Sequence, residues 1–232
     1  MITKAENKIL LRDECLSFIK SKRYKRVLDV GGALYPWARD VVSHYLDIND
    51  PKEVCGPEFH CSQFLSSTFI EGDICRQETW DRMQKFDPFD FVICSQTLED
   101  IRDPTVALRN LSKIAKQGFI TVPVKYRELS FVEIRSVEIQ NEWQLKSPYR
   151  GYFHHRWIFT IDDGKLYLFP KLNFVEHIQG LENVLDQSDN GCQELAFFWE
   201  DSIPFEIVND DFLGPNPPSV FGYYRDLLEK GL

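Results

Sequence analysis

The chain has 232 residues, 43% of them hydrophobic and 14% aromatic, which is enough to enclose one full-sized core. Its formal net charge of -9, with no basic run, argues against a nucleic acid or an anionic membrane as partner, because phosphates require a positive surface. Met1 to Leu11 is too polar for a signal peptide, no apolar run approaches membrane-spanning length, and six cysteines at irregular spacings read as reduced thiols of a cytoplasmic protein.

Asp13 to Lys20 reads as a helix flanking the first strand, Val27-Leu28-Asp29-Val30, which stops at Gly31-Gly32. The second strand end is Tyr45-Leu46-Asp47-Ile48. Glycines directly after a buried strand let the backbone approach a ligand, and an acid at the next strand's tip can accept hydrogen bonds from ribose hydroxyls. A tight turn after a core strand is the alternative reading of the glycines. The fingerprints G-x-G-x-x-G and G-x-x-x-x-G-K-[ST] are both missing, and Ala33-Leu34-Tyr35-Pro36-Trp37 is bulky where a phosphate needs room. A nucleotide-like ligand without phosphates fits better. From Gly32 to Ser43 there is little space for a crossover helix, so between Ala33 and Asp40 the helix either shrinks to a turn or two, started by Pro36, or becomes a loop.

Phe69 to Cys75, containing Glu71-Gly72-Asp73-Ile74, gives a third strand end with an acid, and Phe89 to Gln96 a fourth strand. Thr105 to Lys116 carries apolar residues at three- and four-residue steps, with Asp103 as N-cap and Pro104 as initiator; Gly118 is expected to end it before a fifth strand at Phe119-Ile120-Thr121-Val122. Strands alternating with helices predict a parallel sheet with its ligand site at the carboxyl ends, where Asp29, Gly31, Asp47, Asp73 and Ser95 all fall. Beyond Pro123, Trp157 to Ile161, Asp162-Asp163-Gly164 and Lys165 to Phe169 spell a hairpin. Leu195 to Trp199 and Phe205 to Val208 form a second apolar pair across a short turn, giving the antiparallel end of the sheet and a cover over an acceptor site. Gly214 to Pro218 is a loop before a last short helix from Gly222 to Lys230.

From Val27 to about Pro123 the sequence resembles the S-adenosylmethionine-dependent methyltransferases of the Rossmann-like class. The best-matching piece, Phe89-Asp90-Phe91-Val92-Ile93-Cys94-Ser95-Gln96-Thr97-Leu98-Glu99-Asp100-Ile101-Arg102-Asp103-Pro104, is similar to the fourth-strand segment of its small-molecule branch. The resemblance implies one α/β domain over residues 1–232, with a mostly parallel central sheet and antiparallel C-terminal strands. Residues 27–123 would be the cofactor core, 124–213 a β-rich acceptor and cover region, and 214–232 the C-terminal loop and helix. It implies S-adenosylmethionine as cofactor, with Asp29 among the residues that bind it, Gly31 and Gly32 under the methionine part and Asp47 on the ribose hydroxyls. Asp73 would reach the adenine amino group with Ile74 beside the ring, and Ser95 and Gln96 would line the methionine end. On residues alone, Asp47 could instead cap a turn at Asn49-Asp50-Pro51, and Asp73 after Gly72 could be a turn acid.

The implied activity is methyl transfer to a hydroxyl or amine of a small molecule or glycan precursor, the faint likeness to glycan-biosynthesis methyltransferases extending into Gly151 to Trp157. Asp100 departs from the histidine that the small-molecule branch often has there, which leaves open a cofactor-binding partner without transfer activity. A nicotinamide-dependent oxidoreductase lacks both its glycine fingerprint and a Tyr-x-x-x-Lys pair after the fourth strand. An oxygen acceptor must lose a proton. Candidates for the base are Glu99, Asp100 and the adjacent His154 and His155, of which a strand would turn only one toward the site. No neighbouring cysteine or carboxylate completes a ligand spacing around the two histidines, so no metal is expected there. Arg127, Arg135, Arg150 and Arg156 suit an anionic or polyhydroxylated acceptor, with solvated strand-edge charge as the alternative.

Overall fold

A computed structural model describes residues 2–50, 67–86, 88–132, 138–139, 143–144, 149–181, 192–208 and 217–231. Its strands are β1 (Ile2–Glu6), β2 (Val27–Val30), β3 (His44–Asp47), β4 (Thr68–Glu71), β5 (Phe91–Ser95), β6 (Gln117–Pro123), β7 (Trp157–Asp162), β8 (Lys165–Pro170), β9 (Glu194–Glu200) and β10 (Phe205–Ile207), besides four two-residue strands between Phe131 and Arg150. The helices are α1 (Lys8–Lys22), α2 (Gln77–Met83), α3 (Pro104–Ile114), α4 (Lys125–Leu129) and α5 (Pro217–Glu229).

Seven strands form the main sheet in the order β1-β9-β6-β5-β2-β3-β4. β6, β5, β2, β3 and β4 run parallel, and β9 is inserted antiparallel between β6 and β1. This is the mostly parallel Rossmann-like sheet expected. The edge strand β1 was not legible: Ile2-Thr3-Lys4-Ala5-Glu6 alternates weakly, and only pairing along β9 makes it a strand. The second apolar pair divides. β9 enters the main sheet, whereas β10 pairs parallel with β8 in a separate three-stranded cover sheet, so the two do not form a hairpin with each other. The predicted β7–β8 hairpin is present, with Asp163 and Gly164 at positive φ as a tight two-residue turn requires.

Period-two alternation sends the strands' side chains to two layers. Leu28, Val30, Val92, Cys94, Ile120 and Val122 pack with α2, α3 and the cover hairpin. Val27, Tyr45, Phe91, Ile93 and Phe119 pack on the other face with Leu11, Cys15 and Ile19 of α1. No helix crosses between β2 and β3; the chain passes in bends and a turn, and Ala33, Ala38 and Val42 of that loop fill the second layer themselves. α3 starts as expected, the Asp103 carboxylate accepting from the Thr105 amide at 2.9 Å, but it stops at Ile114. Gly118 lies inside β6: a Cβ there would meet the Trp199 ring at 2.5 Å, so the glycine serves close packing rather than a helix stop. α5 begins at Pro217, five residues earlier than expected. Among the described residues no helix is long and apolar enough to cross a membrane.

Candidate functional site

The carboxyl ends of β2, β3, β4 and β5 meet around the Gly31-Gly32 loop. The Gly31 amide donates to the Leu46 carbonyl at 2.8 Å, pinning the loop to β3. Gly31 has φ +79, and a Cβ there would stand 2.3 Å from Thr97 Cγ2; a Cβ on Gly32 would stand 2.3 Å from an Asp29 carboxylate oxygen. Both glycines are therefore demanded by their protein neighbours. Gly31→Ala is expected to lower the unfolding midpoint, and Thr97→Ala to restore only part of the loss, because the strained φ survives the relief of the clash. Thermal unfolding of the single and double variants checks this; full restoration would mean that contact alone decides.

Asp29 is fully buried, and neither of its carboxylate oxygens has a hydrogen-bond partner. Burial, helped by the nearby charge of Asp47 and opposed by Arg12, pushes its carboxyl up to about 7. At the tip of β3, Asp47 accepts from the Ile48 amide at 2.7 Å and the Asn49 amide at 3.4 Å, and its other oxygen accepts from the Ala33 amide at 3.2 Å. It is thus a turn acid and a tie to the glycine loop at once. A carboxylate has about four lone-pair sites, so these three bonds leave room for a ligand hydroxyl.

Asp73 accepts from the Cys75 amide at 2.8 Å and faces Arg76 at 3.3 Å and Arg102 at 3.7 Å. Ile74 is buried in the main core and is no exposed wall of the cleft. Ile48, which sequence reasoning passed over as merely the residue after an acid, is 57% exposed and shares a groove of about 640 Å³ with Glu71, Gly72 and Asp73. Sequence shows only an isoleucine after a strand-tip acid, and its exposure appears with the fold. Ser95 Oγ pairs with Thr121 Oγ1 at 2.8 Å, while Gln96 has φ 52 and a buried Nε2 without a partner. Gln96 also lines a small cavity of about 60 Å³ with Lys8, Arg127, Tyr152 and Glu194.

Glu99 is buried with both carboxylate oxygens unpartnered, its carboxyl held well above the usual range chiefly by burial, while its carbonyl accepts from the Arg156 amide at 2.7 Å. That bond draws the His154-His155 turn over the end of β5. The two histidines lie in a turn rather than a strand, so both reach the same place: Asp100 Oδ1 stands 3.5 Å from Nε2 of each. His155 Nδ1 meets Glu128 Oε1 at 2.7 Å, and Lys171 donates to the other Glu128 oxygen at 3.0 Å. The carboxylates that local spacing failed to supply come from elsewhere in the chain, Glu128 lying 27 residues before His155 and Asp100 in the turn after β5. Of the four arginines, Arg127 lines the small cavity and the Arg156 residue is exposed. Arg150 is fully buried, which removes it from acceptor binding; Arg135 lies outside the described residues.

No protein-family model matches the sequence, and no curated protein is similar to it in sequence. Among solved structures it is similar to an S-adenosylmethionine-dependent methyltransferase from Clostridium acetobutylicum, at TM-score 0.46 and 9% identity over 84% of this chain and 92% of that one. It is also similar to the N-terminal domain of EvdMO1 crystallised with S-adenosylhomocysteine and D-fucose, at TM-score 0.39 and 12% identity over 93% and 71%. A possible histamine N-methyltransferase from Thermotoga maritima gives TM-score 0.37 and 13% identity over 50% of this chain and 52% of that one, so the chain spans about half of it. Likeness at this level concerns the path of the backbone and not the chemistry of any residue.

Proposed function

We propose that the chain binds S-adenosylmethionine at the Gly31-Gly32 end of the sheet and transfers its methyl group to a hydroxyl or amine of a small or glycan-linked acceptor. The observation that carries this reading is the Asp29 carboxylate, fully buried beneath the glycine loop with no protein hydrogen-bond partner. A buried anion without a partner is costly unless a ligand cation completes it. The α-ammonium of the methionine part is such a cation, and Asp47 one strand away is placed for ribose hydroxyls. Ile48 and Asp73 offer an apolar face and an acid edge to a base. The unpartnered Gln96 amide suits the methionine carboxylate.

When bound, the cofactor supplies an activated methyl on a sulfonium. The protein's part is to hold the acceptor in line, exclude bulk water from the methyl group and ease the loss of the acceptor's proton. Gln96, Arg127 and Tyr152 wall the adjoining cavity, and Asp100 with His154 and His155 stands beside Tyr152, whose ring lies 4.5 Å from that of His155. Guanidinium and phenol donors suit a polyhydroxylated acceptor. The four described cysteines are free.

Calorimetric titration of the folded chain with S-adenosylhomocysteine is expected to show one saturable site. Ile48→Asp, on an exposed position that leaves the fold intact, is expected to weaken it about tenfold, the worth of one lost apolar contact face of about 1.4 kcal/mol. A folded sample that takes up no S-adenosylhomocysteine would overturn the assignment.

A further inference from the structure

We propose that Asp100, His154 and His155 form a binding site for a divalent first-row transition ion at the acceptor end of the cleft. Their donor atoms all lie within 4.8 Å of one another. Asp100 Oδ1 is buried and makes no hydrogen bond, although two imidazole nitrogens stand 3.5 Å from it. Donors held about 2.1 Å from a tetrahedral ion are separated by about 3.4 Å, which the two separations from Asp100 Oδ1 match.

The surroundings decide which atom of His155 faces the cluster. Glu128 Oε1, 2.7 Å from Nδ1, accepts a hydrogen bond from the N–H there, which leaves the Nε2 lone pair toward Asp100. Carboxylate, histidine and metal in line is the arrangement that fixes a ligating imidazole's tautomer and raises its basicity. Glu128 is in turn locked by Lys171, which also donates to the carbonyls of Arg150 at 2.7 Å and Tyr152 at 2.8 Å. The Glu128, Lys171 and His155 side chains are at most 5% exposed, whereas those of Asp100 and His154 are 41% and 51% exposed. The site is thus rigidly backed and open in front. Three protein ligands leave further positions for water or substrate, as catalytic metal sites do. Two imidazoles with one carboxylate favour zinc, iron, manganese or cobalt over magnesium or calcium, which take oxygen ligands.

For the reaction, the inference rests on the methyl-transfer reading. The ion would accept the acceptor's hydroxyl as a ligand and lower its pKa, so that its proton passes to water. The acceptor oxygen then forms the new C–O bond as the C–S bond breaks and the electron pair stays on sulfur. This makes a separate protein base unnecessary.

The full chain, stripped with a chelator and dialysed, is titrated with Co²⁺ and followed by visible absorption, then competed with Zn²⁺. One equivalent with a tetrahedral or five-coordinate spectrum is expected. His154→Gln, at a half-exposed position, should abolish the spectrum while leaving the unfolding midpoint of the metal-free chain unchanged; Glu128→Gln should weaken binding tenfold to a hundredfold. No saturable uptake, or uptake undiminished in His154→Gln and Asp100→Asn, would overturn the site. S-adenosylhomocysteine titration of the same samples is a separate readout: metal uptake without cofactor binding keeps the site and sinks the methyl-transfer reading.

Discussion

Arg150→Ala is expected to destabilise the protein by about 3–5 kcal/mol, the cost of withdrawing a buried donor from the carbonyls that it satisfies. The guanidinium donates from Nη1 to the Leu129 carbonyl at 2.6 Å, from Nη2 to Ile178 at 2.8 Å and from Nε to Val175 at 3.0 Å, and it lies 3.9 Å from the centre of the Phe131 ring. These carbonyls belong to the end of α4 and to the turn around Asn173–His177, elements with no backbone ladder between them. One side chain therefore replaces a sheet as the staple of the cover region. Truncation takes this donor from the Leu129 and Ile178 carbonyls and leaves the Val175 carbonyl with the Ile178 amide at 3.3 Å, in a space water enters poorly. Arg150→Lys should recover less than half of the loss, since an ammonium on a flexible stem does not reproduce the planar fork. Urea unfolding of the two variants measures it, and a cost below 1 kcal/mol for alanine would mean that the cover is held by its apolar contacts alone. The same variant bears on the cluster at Asp100, because the Lys171 that locks Glu128 is also bonded to the Arg150 carbonyl.

Arg150 also shows where the sequence stopped being readable. A single arginine between aromatic residues looks the same whether it faces an anion or three carbonyls; the difference lies in contacts that chain order does not encode. The parallel core was legible because burial on both faces forces continuous apolar runs such as Val27-Leu28 and Phe91-Val92-Ile93-Cys94, and because the acids and glycines that end them are out of place in a core. The short connection between β2 and β3 allowed either a helix of a turn or two or a loop, and the loop is the one formed. By contrast, β1 and β10 owe their existence to partners supplied from elsewhere: β9 for the one and β8 for the other. The His154-His155 pair was visible as an oddity, but its carboxylates, Asp100 and Glu128, come from the end of β5 and from α4, so no local spacing could announce them. Ile48 was missed, since its exposure and the groove beside it exist only in the folded chain.

Asp29→Asn is expected to move stability and cofactor affinity in opposite directions. The carboxyl is raised from 3.8 to about 7 in the folded chain, with burial the main cause. Between those two values the folded state binds more protons than the unfolded one, so stability contributed by the protonated carboxyl is complete near pH 4 and lost as pH rises to 7. The full gap of about 3 pH units corresponds to about 4 kcal/mol. Asparagine carries no proton to lose, so the variant should match the wild type near pH 4 and exceed it at pH 8 by a few kcal/mol. Thermal unfolding at the two pH values reads this directly, and equal midpoints at pH 8 would show that Asp29 is not the buried charge it is taken to be. Affinity goes the other way: without a carboxylate to meet the cofactor's ammonium, S-adenosylhomocysteine binding at pH 8 should weaken by tenfold or more, a loss of about 1.5–3 kcal/mol for one charge-assisted bond. In the wild type the same affinity should fall as pH drops below 7, since binding must then first remove the Asp29 proton. A cleft that keeps an uncompensated carboxylate ready for its ligand is less stable when empty, and the ligand's cation removes that cost on arrival.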